Sequence, residues 1–254
     1  MEGLTLDLIL LVALGGFAAA FVDAVVGGGG LISVPVLLMA GLPPHLALGT
    51  NKLAGTMSSL TSTLSFLKSG HVELKLAGRL LPLTLLGAGA GTYALQHIPS
   101  GFLKPLVIVL LLAVTVYTLL RKSWGNVRTY RALTRRSGLW MAAAALLLGG
   151  YDGFFGPGTG SFLLFAFLLL GFDFVSAAGN AKVLNFGSNA ASLAVFLLLG
   201  GVDYRLGLIM GAAMVLGSLI GSQVAIRKGA RYVRPLFVAM TLLLVGKQLW
   251  DLIV

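Results

Sequence analysis

Two lysines, Lys52 and Lys182, lie 130 positions apart inside apolar stretches of membrane length, and each has the same company. An aspartate precedes a glycine-rich break upstream of each: Asp23 before Gly27, Gly28, Gly29 and Gly30, and Asp152 before Gly156, Gly158, Thr159 and Gly160. Amides stand close by, Asn51 beside Lys52, and Asn180 and Asn185 around Lys182. Such a break starts a new helix, whose first N–H groups lack partners and carry about half a positive charge. Ammonium groups, amides and helix starts are all donors. The set describes a cationic, donor-rich pocket suited to a small oxyanion.

Each residue also has a plainer use. Lysines near helix ends snorkel to the interface, and asparagines glue membrane helices together. The aspartates would equally cap the broken helices, pair with the lysines or carry protons. Recurrence favours function for the lysines, since one near the bilayer centre costs a few kcal/mol and this chain accepts it twice. On the same ground, exchange of either lysine for Met is expected to leave the protein level unchanged or higher. Residue types exclude much other chemistry. There is no cysteine, and His45, His71 and His97 lack metal-ligand spacing, so neither a metal nor another cofactor is expected. No His-Glu-x-x-His or Gly-x-Ser-x-Gly occurs, and the four glycines do not continue into the Gly-Lys-Ser/Thr of a phosphate-binding loop. An enzyme is not expected.

The elements that position these residues belong in a lipid bilayer. Hydrophobic residues make up 57% of the 254, charged ones only 10%, and mean hydropathy is +0.97; soluble domains carry about 25% charged residues. The net charge of +10 sits mostly in short loops, which argues for orientation in a membrane and against nucleic acid. Residues 49–120 align without a gap on 179–250, and one residue of slippage brings Asp23 and Gly27 onto Asp152 and Gly156. The chain divides into a first repeat over 1–121, a basic linker over 122–136 and a second repeat over 137–254. Long spans are expected at 5–25, 45–67, 75–97 and 102–120, and again at 137–155, 174–198, 205–226 and 232–250. Short apolar pieces, 31–40 and 161–170, follow the two breaks. Ten helical residues reach only ~15 Å, about half the hydrocarbon core. The fold class is an all-α polytopic bundle of two repeats, each with about four long spans and one half-helix.

Basic loops orient it. The linker and the loop 227–234 are rich in Arg and Lys and lack acids, which places both in the cytoplasm. Counting spans puts 68–75 inside, 97–104 and 199–204 outside, and both termini outside. Equivalent loops then lie on opposite faces, so the repeats are expected to be inverted, with a substrate site at their interface.

The segments FVDAVVGGGGLISVPVLLMAGLPPHLALGTNKL and YDGFFGPGTGSFLLFAFLLLGFDFVSAAGNAKVLNF resemble the two halves of the sulfite exporter TauE/SafE family, and the likeness runs along the whole chain. The resemblance implies a multi-pass protein of a bacterial or archaeal plasma membrane that transports sulfite, thiosulfate, sulfoacetate or related anions. Carried onto this sequence, the motif positions are Gly27 to Gly30, Pro35, Gly49, Thr50 and Asn51, with Gly156, Gly158, Gly160, Gly179 and Asn180 in the second half. Many members have Gly-Thr-Ser where this chain has Gly49-Thr50-Asn51-Lys52 and Gly179-Asn180-Ala181-Lys182, which leaves the particular substrate open. The expectation is a secondary transporter working by alternating access on a small anionic substrate. The alternatives are a passive anion channel of the same fold or a membrane subunit without transport. A homo-oligomer is compatible with all three.

Overall fold

The computed structural model describes residues 5–95, 125, 127–233, 235–239, 242 and 246. Among them are helices α1 (Leu6–Val26), α2 (Gly30–Met39), α3 (Pro44–Lys68), α4 (Leu74–Leu95), α5 (Arg135–Phe154), α6 (Thr159–Leu169), α7 (Phe174–Leu198) and α8 (Tyr204–Lys228). A further helical run begins at 230. The expected span at 102–120 and most of that at 232–250 lie outside the described residues.

Local signals explain the boundaries. Proline at the first position opens α3, where its missing N–H costs nothing. A capping box between Thr134 and Ser137 opens α5. Asp173 accepts from the N–H groups of Val175 and Ser176 at the start of α7, and Asp203 does the same for Leu206 at the start of α8. By length and composition α1, α7 and α8 can cross a membrane. At 25 residues α3 is as long as α7, but it carries buried Thr50, Lys52, Ser58, Ser59 and Ser62 along its inner face.

Two helices are short. With 10 residues in α2 and 11 in α6, each is about 15–17 Å long, half the depth of a hydrocarbon core. The breaks before them run through Gly27 and Gly28 at φ 80° and 88°, and Gly156 and Gly158 at φ 93° and 91°. Side chains resist those angles, so glycine lets the chain fold back there.

Equivalent positions make equivalent contacts, each with the opposite half. Gly87 and Gly91 of α4 lie on the carbonyls of Leu146 and Gly150 in α5, while Gly217 and Gly221 of α8 lie on those of Phe17 and Phe21 in α1. A Cβ at any of the four would collide, so both Gly-x-x-x-Gly pairs serve close helix packing. The Thr50 hydroxyl accepts the Asp203 N–H at 2.9 Å, and its counterpart Asn180 accepts the Glu73 N–H at 3.0 Å. The start of α3 therefore lies beside the loop that ends α7, and the start of α7 beside the loop that ends α3. These two helices run antiparallel. Arg128 of the linker pairs with Glu73 at 2.8 Å, and the Thr129 and Tyr130 N–H groups donate to the Gly171 carbonyl. The linker's described part thus shares one face of the bundle with the loop 69–73.

Candidate functional site

The starts of α2 and α6 meet inside the bundle. Gly27 packs on the backbone of Gly160 and Ser161, and the Ser161 hydroxyl donates to the Val26 carbonyl at 3.0 Å. Beside this junction lies a cavity of about 40 Å³. That is room for a few water-sized groups. Backbone from both glycine breaks lines it, together with Asp23, Ser33, Asn51, Lys52, Asp152, Asn185 and Asn189. The Ser33 hydroxyl donates to Asn51 Oδ1 at 2.6 Å and to the Gly29 carbonyl at 3.1 Å, tying α3 to the first turn of α2.

Charge crosses between the halves. Lys52 Nζ sits 3.1 Å from Asp152 Oδ1 and donates to the Asp152 carbonyl at 2.6 Å. Lys182 Nζ donates to Asp23 Oδ2 at 2.6 Å. Each lysine thus pairs with the aspartate of the other half. The second oxygen of Asp152 accepts from the Ser188 hydroxyl, whereas that of Asp23 accepts the Gly29 N–H at 3.1 Å and so caps the start of α2. Two ammonium groups and two carboxylates cancel. This corrects the cationic pocket expected from lysines, amides and helix starts: buried charge needs a partner, and the aspartates, for which pairing with the lysines was one of the expected uses, supply it.

The cavity gathers Gly28, Gly29, Gly30, Asn51, Lys52, Gly156, Gly158, Thr159, Gly160, Asn185, Asp23 and Asp152 from the residues singled out in the sequence. Gly27 stands behind its wall, and Lys182 reaches it through Asp23. Thr50 and Asn180 do not line it. Each lies two positions before its lysine, about 200° around the helix, and bonds a loop of the other half instead. Ser33, Gly55, Asn189 and Met214 line the cavity without having been singled out, and Ser188 supports it. Helical spacing points to some of them: Gly55 follows Lys52 by three positions, and Asn189 follows Asn185 by four. Nothing in the sequence marks Met214.

Residues 12–247 match the model of the family described as sulfite exporter TauE/SafE. The chain is similar to a probable membrane transporter protein ORF9 of Sinorhizobium sp, 39% identical over 99% of this chain and 96% of that one. It is 40% identical to a probable membrane transporter protein of Haemophilus influenzae over 97% of this chain and 96% of the relative. It is also 35% identical to the probable membrane transporter protein YfcA of Escherichia coli K12, over 92% of this chain and 86% of the relative. No solved structure matches.

Proposed function

This chain belongs to the sulfite exporter TauE/SafE family, and from that premise we propose that it moves a small sulfur-containing oxyanion across the membrane by alternating exposure of the half-helix cavity. It is a membrane transporter rather than an enzyme. One observation carries the reading of the site: two half-helix starts and two cross-paired lysines converge on one small polar cavity. Unpartnered N–H groups at a helix start offer an oxyanion a partial positive charge without bringing a full one. The cavity is small and lined mostly by polar groups and backbone, as a small oxyanion requires.

The reading includes inverted repeats, 1–121 and 137–254, joined by a cytoplasmic linker over 122–136, with both termini outside. The reciprocal contacts and the antiparallel course of α3 and α7 support it, because inversion is the relation that places equivalent loops on opposite faces. A chain without cysteine makes the topology easy to check. Ser69→Cys should label only after permeabilisation and Leu199→Cys from outside; labelling from one common face rules out inversion. Function is tested in proteoliposomes with sulfite, thiosulfate, sulfoacetate, sulfate and chloride. Saturable, gradient-driven accumulation of sulfite or thiosulfate is expected. Flux that never exceeds electrochemical equilibrium means a channel, and no flux of any of the five anions overturns the proposal.

A further inference from the structure

We infer that the crossed ion pairs couple the anion to a proton, and that Asp23 is the carboxylate that takes up that proton in the state described. The inference rests on the transport reading above and deepens it. With the lysines neutralised by Asp23 and Asp152, an anion entering alone would add an uncompensated charge to a buried site. A proton bound to Asp23 removes that obstacle. It cancels the Asp23 carboxylate and leaves the Lys182 ammonium, whose side chain is only 2% exposed, in need of a counter-charge. The anion in the cavity supplies it. Proton and anion enter together: with a monoanion such as hydrogensulfite the site's net charge returns to zero, and with the thiosulfate dianion it stands at one negative charge instead of two.

The two carboxylates are not equally available for this step. Asp152 is closed in: Lys52 bonds both its side chain and its carbonyl, Ser188 bonds its other oxygen, and its side chain is 4% exposed. Asp23 lines the cavity with its side chain 15% exposed, held by Lys182 and one backbone N–H. The serine equivalent to Ser188 is Ser58, and its buried hydroxyl has no partner. The groups around Asp23 are few. From α7 comes Lys182, while α3 and α5 bring Lys52 and Asp152, already paired with each other. On α5, Tyr151 turns its hydroxyl to the Pro157 carbonyl at 2.5 Å. From α2, α6 and α8 the cavity receives backbone, Ser33, Thr159 and Met214. Lys182 is the cation positioned to change partners.

The test uses purified full-length protein in liposomes loaded with a fluorescent pH indicator and given ³⁵S-thiosulfate, which carries no proton of its own near neutral pH. Thiosulfate entry is expected to acidify the lumen, and affinity to rise about tenfold for each unit of falling pH while Asp23 is ionised, the limit for one linked proton. Asp23→Asn fixes the neutral form: thiosulfate should bind with one affinity at every pH, and a pH gradient should no longer drive accumulation. Wild-type thiosulfate flux without proton movement overturns the coupling, as does an Asp23→Asn protein that still accumulates thiosulfate along a pH gradient. Should the wild type move sulfite but not thiosulfate, the Asp23→Asn protein reports the sulfite's own proton, and an equal signal from both proteins overturns the coupling. Absence of all anion flux in the wild type instead overturns the transport reading.

Discussion

Asp152 and Asp23 hold equivalent places in the two halves, yet their surroundings differ. Asp152 has a lysine bonded twice, a serine hydroxyl and almost no exposure, while Asp23 has one lysine bond, one backbone N–H and an open side toward the cavity. The half-helices differ in the same sense. Tyr151 and Phe162 meet edge to face beside α6, with ring centroids 5.8 Å apart, and Phe167 stacks against Phe172 in the same manner. Val36 and Leu37 of α2 share a core without aromatic rings with Val12, Ala47 and Met210, and Pro35 removes one backbone donor from its ten residues. A repeated sequence has produced one tightly tied half-site and one loosely tied half-site. In an alternating mechanism, that inequality is what distinguishes the side of the cavity that exchanges ligands from the side that stays shut.

The largest effects should come from the glycine breaks. Gly27 has φ 80° and ψ 176°, a region all but closed to other residues, worth about 1–3 kcal/mol of strain. Gly27→Ala adds a collision with the Gly160 and Ser161 backbone, which cannot step aside. Loss of folded protein in the membrane is expected. Gly156→Ala carries similar strain at φ 93°, but its new methyl meets the Asp152 carbonyl at 3.1 Å and the movable Lys52 Nζ at 3.2 Å. It should fold and bind anion more weakly. Size-exclusion profiles and anion binding check both, and equal damage from the two would mean that the breaks are equivalent after all.

The lysines come next. Read from the sequence, Lys→Met looks harmless to folding, because it removes a costly buried cation. The crossed pairs reverse that sign. Lys52→Met strands a nearly unexposed Asp152 carboxylate, and breaking a buried pair from one side costs about 3–5 kcal/mol. Lys182→Met should cost less, because Asp23 keeps the Gly29 N–H and faces the cavity. Thermal unfolding in detergent should rank Lys52→Met well below Lys182→Met, and adding Asp152→Asn to Lys52→Met should restore much of the loss. Equal shifts for the two lysines would break the comparison.

The same pairs show where sequence reading stops. The bounds of α7 agree with the expected 174–198, and α2 starts one residue from its expected place, because caps, prolines and glycine runs act locally. The expectation that the two breaks come together rests on the same local signals, and in the structure both line one cavity. Its electrostatics were legible only in part: pairing with the lysines stood beside capping and proton carriage as uses of the aspartates, and nothing local chose among them or crossed the pairs. Lys182 and Asp23 are 159 positions apart, and only the packing of α7 of one half against α1 of the other brings them together. Thr50 was expected at the site as a motif position of the family and Asn180 also as an amide near Lys182, and both bond a loop of the other half instead.

The smallest and sharpest contrast lies in the two equivalent serines. Ser188 donates to the Asp152 carboxylate, a hydrogen bond to a charged group worth about 1.5–3 kcal/mol. Ser58 is as buried, and its hydroxyl has no partner. A buried hydroxyl without a partner costs free energy, so in the state described Ser58→Ala should leave unfolding unchanged or raise it slightly, while Ser188→Ala lowers it. Transport should order them differently. If the halves exchange roles in the opposite-facing state, Ser58 there holds Asp23 as Ser188 holds Asp152 here, and each hydroxyl stabilises one end of the cycle. Ser58→Ala would then slow turnover despite its silence in unfolding, and would shift the cysteine-labelling pattern toward the state described. Full turnover in Ser58→Ala, with Ser188→Ala impaired, would mean that the two halves never trade places and that their inequality is permanent.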